Sequence, residues 1–342
     1  MKAIIFYEHG DIDKLKYEDV DTPSISPNEV LVRVKACGLN HLDLLIRSGN
    51  LGLEIPLPHI TGSEIAGEVA RVGSDVKNIK EGDRVVVDPW FRCGECINCF
   101  SGRDHLCSSS DIIGLFSNGG FAEYVRVSSR NIIPLPEGLD YNDGAAITLA
   151  TLTAWHMLIK RAKVRLGETV LVLGAGSGVG SAAIQIAKLC GANVIAAAGS
   201  EEKLEKAKEL GAAETINYKE KDFLKEVMRL TSNRGVDLVF EHIGSDTWEG
   251  SMGCLKRRGR IVTCGAHSGA TVNLNLFHLF LNENTVLGSY GGTRSELLSI
   301  LEMVKRGALR PVIYKTFPLK ETKKAQKIME ERKQFGKIII NP

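Results

Sequence analysis

The sequence lacks both a long apolar run and a strong net charge. No stretch of its 342 residues approaches the roughly 18–20 apolar residues that a membrane-spanning helix requires. Lys and Arg number 43 against 41 Asp and Glu, a formal net charge of +2, so no general field favours nucleic acid or an anionic membrane. The N-terminus enters the β-like run "AIIFY" and does not resemble a secretory signal. We therefore expect a cytoplasmic protein that binds neither nucleic acid nor membrane.

The sequence also lacks internal repeats and low-complexity linkers, and its pattern changes once, near residue 150. At 342 residues two domains are expected. Residues 1–150 contain short β-rich runs broken by Gly, Pro and Asn, which is typical of an irregular β domain. In residues 151–290 strands alternate with helices, which predicts an α/β unit with a doubly wound parallel sheet. Residues 291–342 are expected to rejoin the first domain. One helix is predicted over 248–259, "WEGSMGCLKRRG".

A glycine-rich turn joins the first strand and helix of the second domain, in "VLVLGAGSGVGSAAIQIAK", residues 170–188. Such a turn lets a pyrophosphate approach backbone N–H groups at the positive end of the helix. The turn carries one residue more than a strict GxGxxG, and a tight structural turn is the alternative. Its strand–turn–helix context favours a dinucleotide site. We predict contacts to the cofactor from Gly176, Ser177, Gly178 and Val179.

An acidic residue is missing where an NAD site usually has one, at the end of the next strand. That strand ends in "AAAGSEEK", which places Gly199 and Ser200 at the position of the acid, with Lys203 close behind. A small, uncharged strand end leaves room for a 2′-phosphate, and the lysine can supply positive charge. We therefore favour NADP(H), with NAD(H) as the alternative. The predicted cofactor residues also include Gly265 and Ala266, after the strand "RIVTCG".

Four of the eight cysteines lie within residues 93–107, "CGECINCFSGRDHLC". At this spacing four thiolates can close a tetrahedron around zinc and leave no position for water or substrate. A bacterial iron–sulfur run has a shorter last gap and a following proline, which are absent here. An unmetallated lobe, an iron–sulfur site and redox thiols are the alternatives. We predict one structural zinc per chain, with these ligands: Cys93, Cys96, Cys99 and Cys107.

Several of these motifs together resemble the medium-chain dehydrogenase/reductase family, over essentially the whole chain. They are the cysteine lobe, the glycine loop, "PHITGSEIAGEVARVGSDVKNIKEGDRVVV", "GGFAEYV", "AAITLATLTAW" and "FGKIIINP". The resemblance implies a GroES-like catalytic domain wrapped around a Rossmann domain, with the active site in the cleft. It also implies a small-molecule substrate and a homodimer or homotetramer, for which the segment "NLNLFHLFLNENTVLG" can supply apolar interface surface.

The usual ligands of this family's catalytic zinc are absent. The resemblance places the first ligand at Asn40 in "CGLNHLD", the second at Ser63 in "GSE" and the third at Ala150. Asn and Ser are poor zinc ligands, and Ala is none. This part of the chain is instead similar to the zinc-free quinone oxidoreductase branch, through "LNHLDLLIRSG", residues 39–49. The resemblance further assigns Lys203 and Tyr218 to the 2′-phosphate and Thr153 to the nicotinamide pocket.

A site without catalytic zinc is suited to acceptors that are already electron-poor, because zinc is what polarises an ordinary carbonyl. Our hypothesis is an NADPH-dependent oxidoreductase that transfers hydride to a quinone or an α,β-unsaturated carbonyl. Asn40 is the expected donor to the developing oxyanion. Asp43 is expected to orient Asn40 or Arg47, and His41 either relays a proton or is structural.

Other interpretations of the same residues stay open. Ser63 and Glu64 either line the substrate pocket or make structural hydrogen bonds, and His59 is expected to be structural. One alternative function is a zinc-dependent alcohol dehydrogenase whose metal is held by a rearranged set: His41, Asp43, His59 and Glu64. The other is a non-catalytic NADPH-binding protein that kept the fold.

Overall fold

A computed structural model describes the full chain, which forms two compact units. Unit 1 comprises Met1–Ala150 and Thr293–Pro342, and unit 2 comprises Thr151–Gly292. The C-terminal part of unit 1 therefore starts at Thr293, two residues after position 291, at which the sequence pattern predicted the return to the first domain. None of the helices combines the length and the apolar character needed to cross a membrane.

Seventeen strands make up the sheets of the two units. In chain order they are β1 (Lys2–Ile5), β2 (Lys16–Asp19), β3 (Glu29–Leu39), β4 (Glu64–Val72), β5 (Arg84–Val87), β6 (Trp90–Phe91), β7 (Asp111–Ile112), β8 (Tyr124–Ser128), β9 (Ile132–Pro134), β10 (Thr169–Val172), β11 (Asn193–Ala198), β12 (Glu214–Asn217), β13 (Val236–Glu241), β14 (Leu255–Thr263), β15 (Thr285–Gly288), β16 (Ile313–Pro318) and β17 (Lys337–Asn341).

Eleven α-helices connect or flank these strands, together with a π-helical turn at His156–Arg161 and short 3₁₀ turns. In chain order they are α1 (His41–Ser48), α2 (Ile97–Phe100), α3 (Tyr141–Ala145), α4 (Ala150–Trp155), α5 (Gly178–Leu189), α6 (Glu201–Glu209), α7 (Phe223–Leu230), α8 (Ser245–Gly253), α9 (Leu276–Leu281), α10 (Arg294–Lys305) and α11 (Thr322–Glu330).

Unit 1 is organised around one mixed sheet with the strand order β16-β17-β3-β4-β5-β9, to which β8 is added by pairing with β3. Its central strand, β3, is buried along most of its length. The C-terminal strand β17 pairs antiparallel with β3 and places Ile338, Ile339 and Ile340 opposite Leu39, Gly38 and Cys37. These three isoleucines are fully buried. The C-terminal segment therefore completes the sheet that the N-terminal residues begin.

Unit 2 contains a six-stranded parallel sheet with the order β12-β11-β10-β13-β14-β15. The chain starts in the middle at β10, runs outward to β12 and then crosses to β13, which is the doubly wound arrangement of dinucleotide-binding domains. The apolar strand residues Val170, Leu171 and Val172 are fully buried, as expected of a sheet covered on both faces. The predicted α/β fold class is confirmed.

The helix predicted over residues 248–259 is wrong in its second half. Helix α8 ends at Gly253, and strand β14 already begins at Leu255. Leu255 pairs with Val236, and the register shifts before the next pair. Arg258 takes a left-handed φ of 61°, so the chain bulges within the strand. The hydrogen bonds between β14 and β13 stabilise a strand where the sequence pattern predicted the second half of the helix.

Candidate functional site

Three polar residues meet in unit 1 because three neighbouring strands bring them to the same end of the sheet. Strand β3 ends at Leu39, directly before Asn40, while β4 begins at Glu64 and β17 begins at Lys337. The strands are antiparallel, and the register places Gly38 opposite Glu64. The end of one strand therefore lies beside the starts of its two neighbours. We call Asn40, Glu64 and Lys337 the amide–ion-pair cluster.

The carboxylate of Glu64 is fully buried and accepts four hydrogen bonds. Its Oε1 accepts from the backbone N–H groups of Leu149 at 2.7 Å and Ala150 at 2.8 Å. Its Oε2 accepts from Nδ2 of Asn40 at 3.1 Å and from Nζ of Lys337. Of the two interpretations of Glu64, these contacts agree with the structural one, in which the carboxylate holds Asn40.

A glycine is required next to this carboxylate. A Cβ at Gly38 would lie 2.5 Å from Oε2 of Glu64 and 2.7 Å from the carbonyl oxygen of Ala145. Both distances are below any normal van der Waals contact, so a side chain at position 38 would displace the carboxylate. Gly38 is therefore part of the packing that holds the amide–ion-pair cluster.

Asp43 fixes the backbone around Asn40. Its Oδ2 accepts from the N–H of Asn40 at 2.7 Å, and its Oδ1 accepts from the N–H of Gly62 at 2.9 Å. Burial raises the pKa of Asp43 to about 7, against the lowering effect of these hydrogen bonds and of the charge on Lys337. Arg47 instead binds Gln326 and Glu330. Of the two orientation roles expected for Asp43, the geometry agrees with the one toward Asn40.

Three other predicted residues of unit 1 have different surroundings. The hydroxyl of Ser63 is buried and has no hydrogen-bond partner, whereas His41 begins α1 and is partly exposed. The Nε2 atom of His59 lies 3.0 Å from the carbonyl oxygen of Gly114, and burial lowers the pKa of this histidine. His59 is therefore held as a structural residue. Ser63 alone offers an uncommitted polar group.

The four cysteines of the lobe come together as predicted. Their sulfur atoms lie within 4.8 Å of one another, and no other set of three or more His, Cys, Asp or Glu side chains is clustered in this way. The proposed rearranged set around His41 and Asp43 is thus not assembled. The Sγ of Cys93 is 3.4 Å from that of Cys107 and 3.9 Å from that of Cys99. Four thiolates around zinc stand about 3.8 Å apart, so the cluster fits this ion.

The pKa values of the cysteines in the lobe are shifted in opposite directions, since burial raises that of Cys99 to about 12 while backbone N–H groups lower those of Cys93 and Cys96. The backbone N–H groups of Cys99 and Ser108 lower the pKa of Cys96 to about 6. Further N–H groups, from Glu95 and Cys96, lie 3.4 Å from the sulfur of Cys93. Backbone donors of this kind stabilise negative charge on sulfur and orient the ligands. The donor set is complete with four sulfur atoms and leaves no open coordination position.

In unit 2 the glycine loop has the geometry of an anion site. The hydroxyl of Ser177 accepts from the N–H of Gly180 at 2.8 Å and caps α5, which begins at Gly178. A Cβ at Gly180 would collide with the carbonyl oxygen of Gly174, so the helix can pack this closely only with glycine there. The free N–H groups of the first turn, including that of Val179, can therefore approach a pyrophosphate.

At the carboxyl ends of the parallel strands, the loop after β13 borders the glycine loop, and the loop after β14 borders the loop after β13. The position of a Cβ at Gly265 lies 3.0 Å from the carbonyl oxygen of His242, and the Nε2 atom of His242 lies 3.1 Å from the carbonyl oxygen of Leu173 and 3.4 Å from Oγ of Ser177. A Cβ at Gly244 would lie 3.1 Å from Cα of Ala266. The sequence pattern did not single out His242 and Gly244. Both closely follow the buried strand β13, and that position was the signal by which they could have been predicted.

The end of β11 has a small residue surrounded by groups from the next strand. A Cβ at Gly199 would lie 3.1 Å from Oη of Tyr218 and 3.1 Å from Cε of Lys219. Ser200 precedes α6, and Lys203 is partly exposed in the first turn of that helix. Lys219 was missed because only the pairing of β12 with β11 brings it back to Gly199. Thr153 lies on α4 and is partly exposed.

Comparisons with known proteins agree with this architecture. Residues 26–137 match the alcohol dehydrogenase GroES-like domain, and residues 178–306 match the zinc-binding dehydrogenase domain. The chain is 32% identical to an NAD-dependent alcohol dehydrogenase of Sulfolobus acidocaldarius, over 99% of both chains. It is 33% identical to a quinone oxidoreductase of Pseudomonas aeruginosa, over 100% of this chain and 99% of the relative.

A solved structure of an NAD-dependent alcohol dehydrogenase is also similar, with a TM-score of 0.96, 43% identity and full coverage of both chains. The GroES-like unit and the dinucleotide-binding unit thus define a pyridine-nucleotide oxidoreductase. Within that class, the chain belongs to the medium-chain dehydrogenase/reductase family. The roles of individual residues in catalysis and cofactor binding stay predictions.

Proposed function

We propose that this chain is an NADPH-dependent reductase of quinones or α,β-unsaturated carbonyls, with one structural zinc and no catalytic zinc. The observation that carries the proposal is the environment of Asn40. At the position of a metal ligand in the zinc enzymes, its amide is bound between the carboxylate of Glu64 and the ammonium of Lys337. An amide held in this way is suited to hydrogen bonding with a substrate oxygen.

The preference for NADPH rests on the surroundings of Gly199. No acidic side chain stands at the end of β11 to bind a ribose 2′-hydroxyl, whereas Tyr218 and Lys219 lie beside that glycine. A hydroxyl and an ammonium suit a 2′-phosphate. Because relatives of this chain are named NAD-dependent alcohol dehydrogenases, every assay should compare the two cofactors.

The chemistry needs little from the protein beyond orientation and hydrogen bonding. NADPH, when bound, supplies a hydride. When a conjugated carbon accepts it, an electron pair moves onto the carbonyl oxygen, where an N–H of Asn40 can stabilise the charge. Loss of one such donor typically lowers the rate about 10²–10³-fold. For an α,β-unsaturated carbonyl the product is completed by a proton at the α-carbon, for which His41 remains the candidate relay.

The zinc would be held by Cys93, Cys96, Cys99 and Cys107, whose geometry fits a tetrahedral ion. Four thiolates leave no site for a substrate, and so the metal would stabilise the lobe and take no part in hydride transfer. This part of the proposal separates the chain from zinc-dependent alcohol dehydrogenases.

One experiment tests the metal content and the reaction together. Purified protein is analysed for zinc, and oxidation of NADPH and NADH is followed with 1,4-naphthoquinone, 2-cyclohexenone and simple aldehydes. We expect about one zinc per chain, turnover of the conjugated acceptors and a higher kcat/KM with NADPH. Two zinc ions per chain with alcohol oxidation would support the rearranged alcohol dehydrogenase instead. Tight NADPH binding without any turnover would indicate a non-catalytic protein.

We also propose a second copy of this chain as partner, bound through a surface of unit 2. Strand β15 is the edge of the parallel sheet, and helix α9 before it exposes Phe277 by 71% and Leu281 by 65%. An unpaired strand edge beside exposed apolar side chains favours pairing with another chain. Two copies related by a twofold axis can pair their β15 edges antiparallel and cover both α9 helices.

A further inference from the structure

Lys337 is a buried lysine for which the sequence suggested no role. It begins β17, is 4% exposed, and directs its ammonium group toward the end of β3. The Nζ atom donates to the carbonyl oxygen of Leu39 at 2.8 Å, to Oδ1 of Asn40 at 2.7 Å and to Oε2 of Glu64. An ammonium has three protons, and each has an acceptor here. Lys337 is therefore not available as a donor to substrate.

The bond from Lys337 determines which way the amide of Asn40 points. Only the amide oxygen can accept from an ammonium, so the Nδ2 group must face the other side. One N–H of Nδ2 donates to Glu64 at 3.1 Å, and the second is directed to the carbonyl oxygen of Gly38 at 3.4 Å. The bond to Gly38 is the longest in the amide–ion-pair cluster, and it is the one that Asn40 can exchange for a better acceptor.

From this arrangement we propose that Lys337 is a positioning residue that orients and polarises the amide of Asn40 for donation to the substrate's developing oxyanion. A positive charge bound to the amide oxygen draws electron density from nitrogen and makes the N–H groups stronger donors. The second N–H then leaves Gly38 for the substrate oxygen. The inference rests on the proposed function, since it needs a substrate oxygen that becomes negative during the reaction.

Glu64 has a separate role in the amide–ion-pair cluster. Its carboxylate balances the charge of Lys337 in the buried site and fixes one N–H of Asn40. The amide is thus held at its oxygen by the cation and at one N–H by the anion. Only the remaining N–H is free to change partner. A substrate oxyanion would be the acceptor that gains most from the polarised group.

A double-mutant cycle on kcat tests the proposal. Lys337→Met alone would leave the buried carboxylate of Glu64 without its cation and can unfold the protein. The cycle is therefore made in the Glu64→Gln background, where Lys337→Met removes the second charge of the pair and leaves no unpaired carboxylate. The glutamine side chain keeps an oxygen for the backbone N–H groups of Leu149 and Ala150. The four proteins are this parent, its Asn40→Ala variant, its Lys337→Met variant and the combination. Thermal unfolding and NADPH binding establish that each is folded.

We expect Asn40→Ala to lower kcat for 2-cyclohexenone by about 10²–10³-fold, as for the loss of an oxyanion donor. Lys337→Met, which leaves the amide in place, should lower kcat by roughly tenfold or more, and KM for NADPH should stay within twofold in both variants. The combination should be no slower than the slower single variant, because Lys337 acts through Asn40. The single variant Lys337→Arg, made in the otherwise unchanged protein, should retain most of the kcat of the unaltered protein. Losses that multiply, an effect on KM alone, or an unchanged kcat in Lys337→Met would each overturn the inference. An unaltered protein that reduces no conjugated acceptor would overturn the proposed function and this inference with it.

Discussion

Replacing Cys96 by serine should release the zinc from the lobe and leave hydride transfer intact. The lobe depends on its metal because it has almost no apolar core: among residues 93–107 only His105 and Cys107 are buried. Closure of a 15-residue loop by a cross-link stabilises a chain by about 3 kcal/mol in the chain-entropy description. A zinc ion bound to four cysteines constrains the same loop at several points, and about 3 kcal/mol is therefore the expected loss.

The loss should appear as a fall in Tm of roughly 6 °C, from about 2 °C per kcal/mol for a chain of this size. Zinc content measured by plasma mass spectrometry should fall from about one ion per chain to none. Limited proteolysis should then cut within residues 93–107, which the unaltered protein protects. The kcat for 2-cyclohexenone per folded chain should change by less than twofold, because no ligand position of this zinc is open to substrate.

Cys190→Ser is the matched control, since Cys190 is also partly exposed but stands apart from the four-cysteine cluster. It should leave zinc content, Tm and kcat unchanged. The reasoning is refuted if the Cys96→Ser protein keeps its Tm and its protease resistance yet loses turnover. Such a result would mean that the zinc takes part in the chemistry.

Three further changes test other parts of the structure. Lys219→Ala should raise KM for NADPH about tenfold, equivalent to about 1.4 kcal/mol, and leave KM for NADH unchanged, because only NADPH carries the 2′-phosphate. Asp43→Asn should remove a pH dependence of the free energy of unfolding. The pKa of Asp43 is raised to about 7 in the folded protein, so its protonated carboxyl contributes its full stabilisation below pH 4. About 4 kcal/mol of that stabilisation is lost as the pH rises to 7. Phe280→Glu, on the exposed face of α9, should convert a dimer into a monomer in sedimentation velocity.

Each of these changes has a control or an opposite result. Lys221→Ala alters an exposed lysine close to Lys219 and should not change KM for either cofactor; equal effects of Lys219→Ala on NADPH and NADH would contradict the phosphate assignment. Urea midpoints of the Asp43→Asn and unaltered proteins that stay parallel from pH 4 to 7 would refute the raised pKa. Leu166→Glu places a charge on another exposed leucine of unit 2, at 85% exposure, and should leave the dimer intact.

The residues close together in the sequence were the predictable ones. The four cysteines lie within a single short segment, and their spacing alone indicated a metal site that the sulfur distances fit. The glycine loop carries its strand, turn and helix in 19 residues, 170–188, so local geometry was enough to indicate the anion site. Periodic apolar strands and helices likewise predicted the parallel sheet of unit 2.

The residues that meet from distant segments were not predictable in this way. Lys337 reaches Asn40 across almost the whole chain because β17 pairs with β3, and Lys219 returns to Gly199 because β12 pairs with β11. The segments around both lysines were singled out, "FGKIIINP" as a family motif and Tyr218 as a 2′-phosphate residue, but neither segment indicates what the lysine itself contacts.

The sequence by itself determined the fold class and indicated the dinucleotide loop and the metal-binding lobe, which depend on residue type and on short spacing. The resemblance to the family, in turn, implied that the usual zinc ligands are absent at Asn40, Ser63 and Ala150. The tertiary structure decided what replaces the ligands: a buried ion pair of Glu64 and Lys337 around the amide of Asn40. Strand pairing places these charges together, and burial makes their hydrogen bonds strong and specific, which no local pattern records.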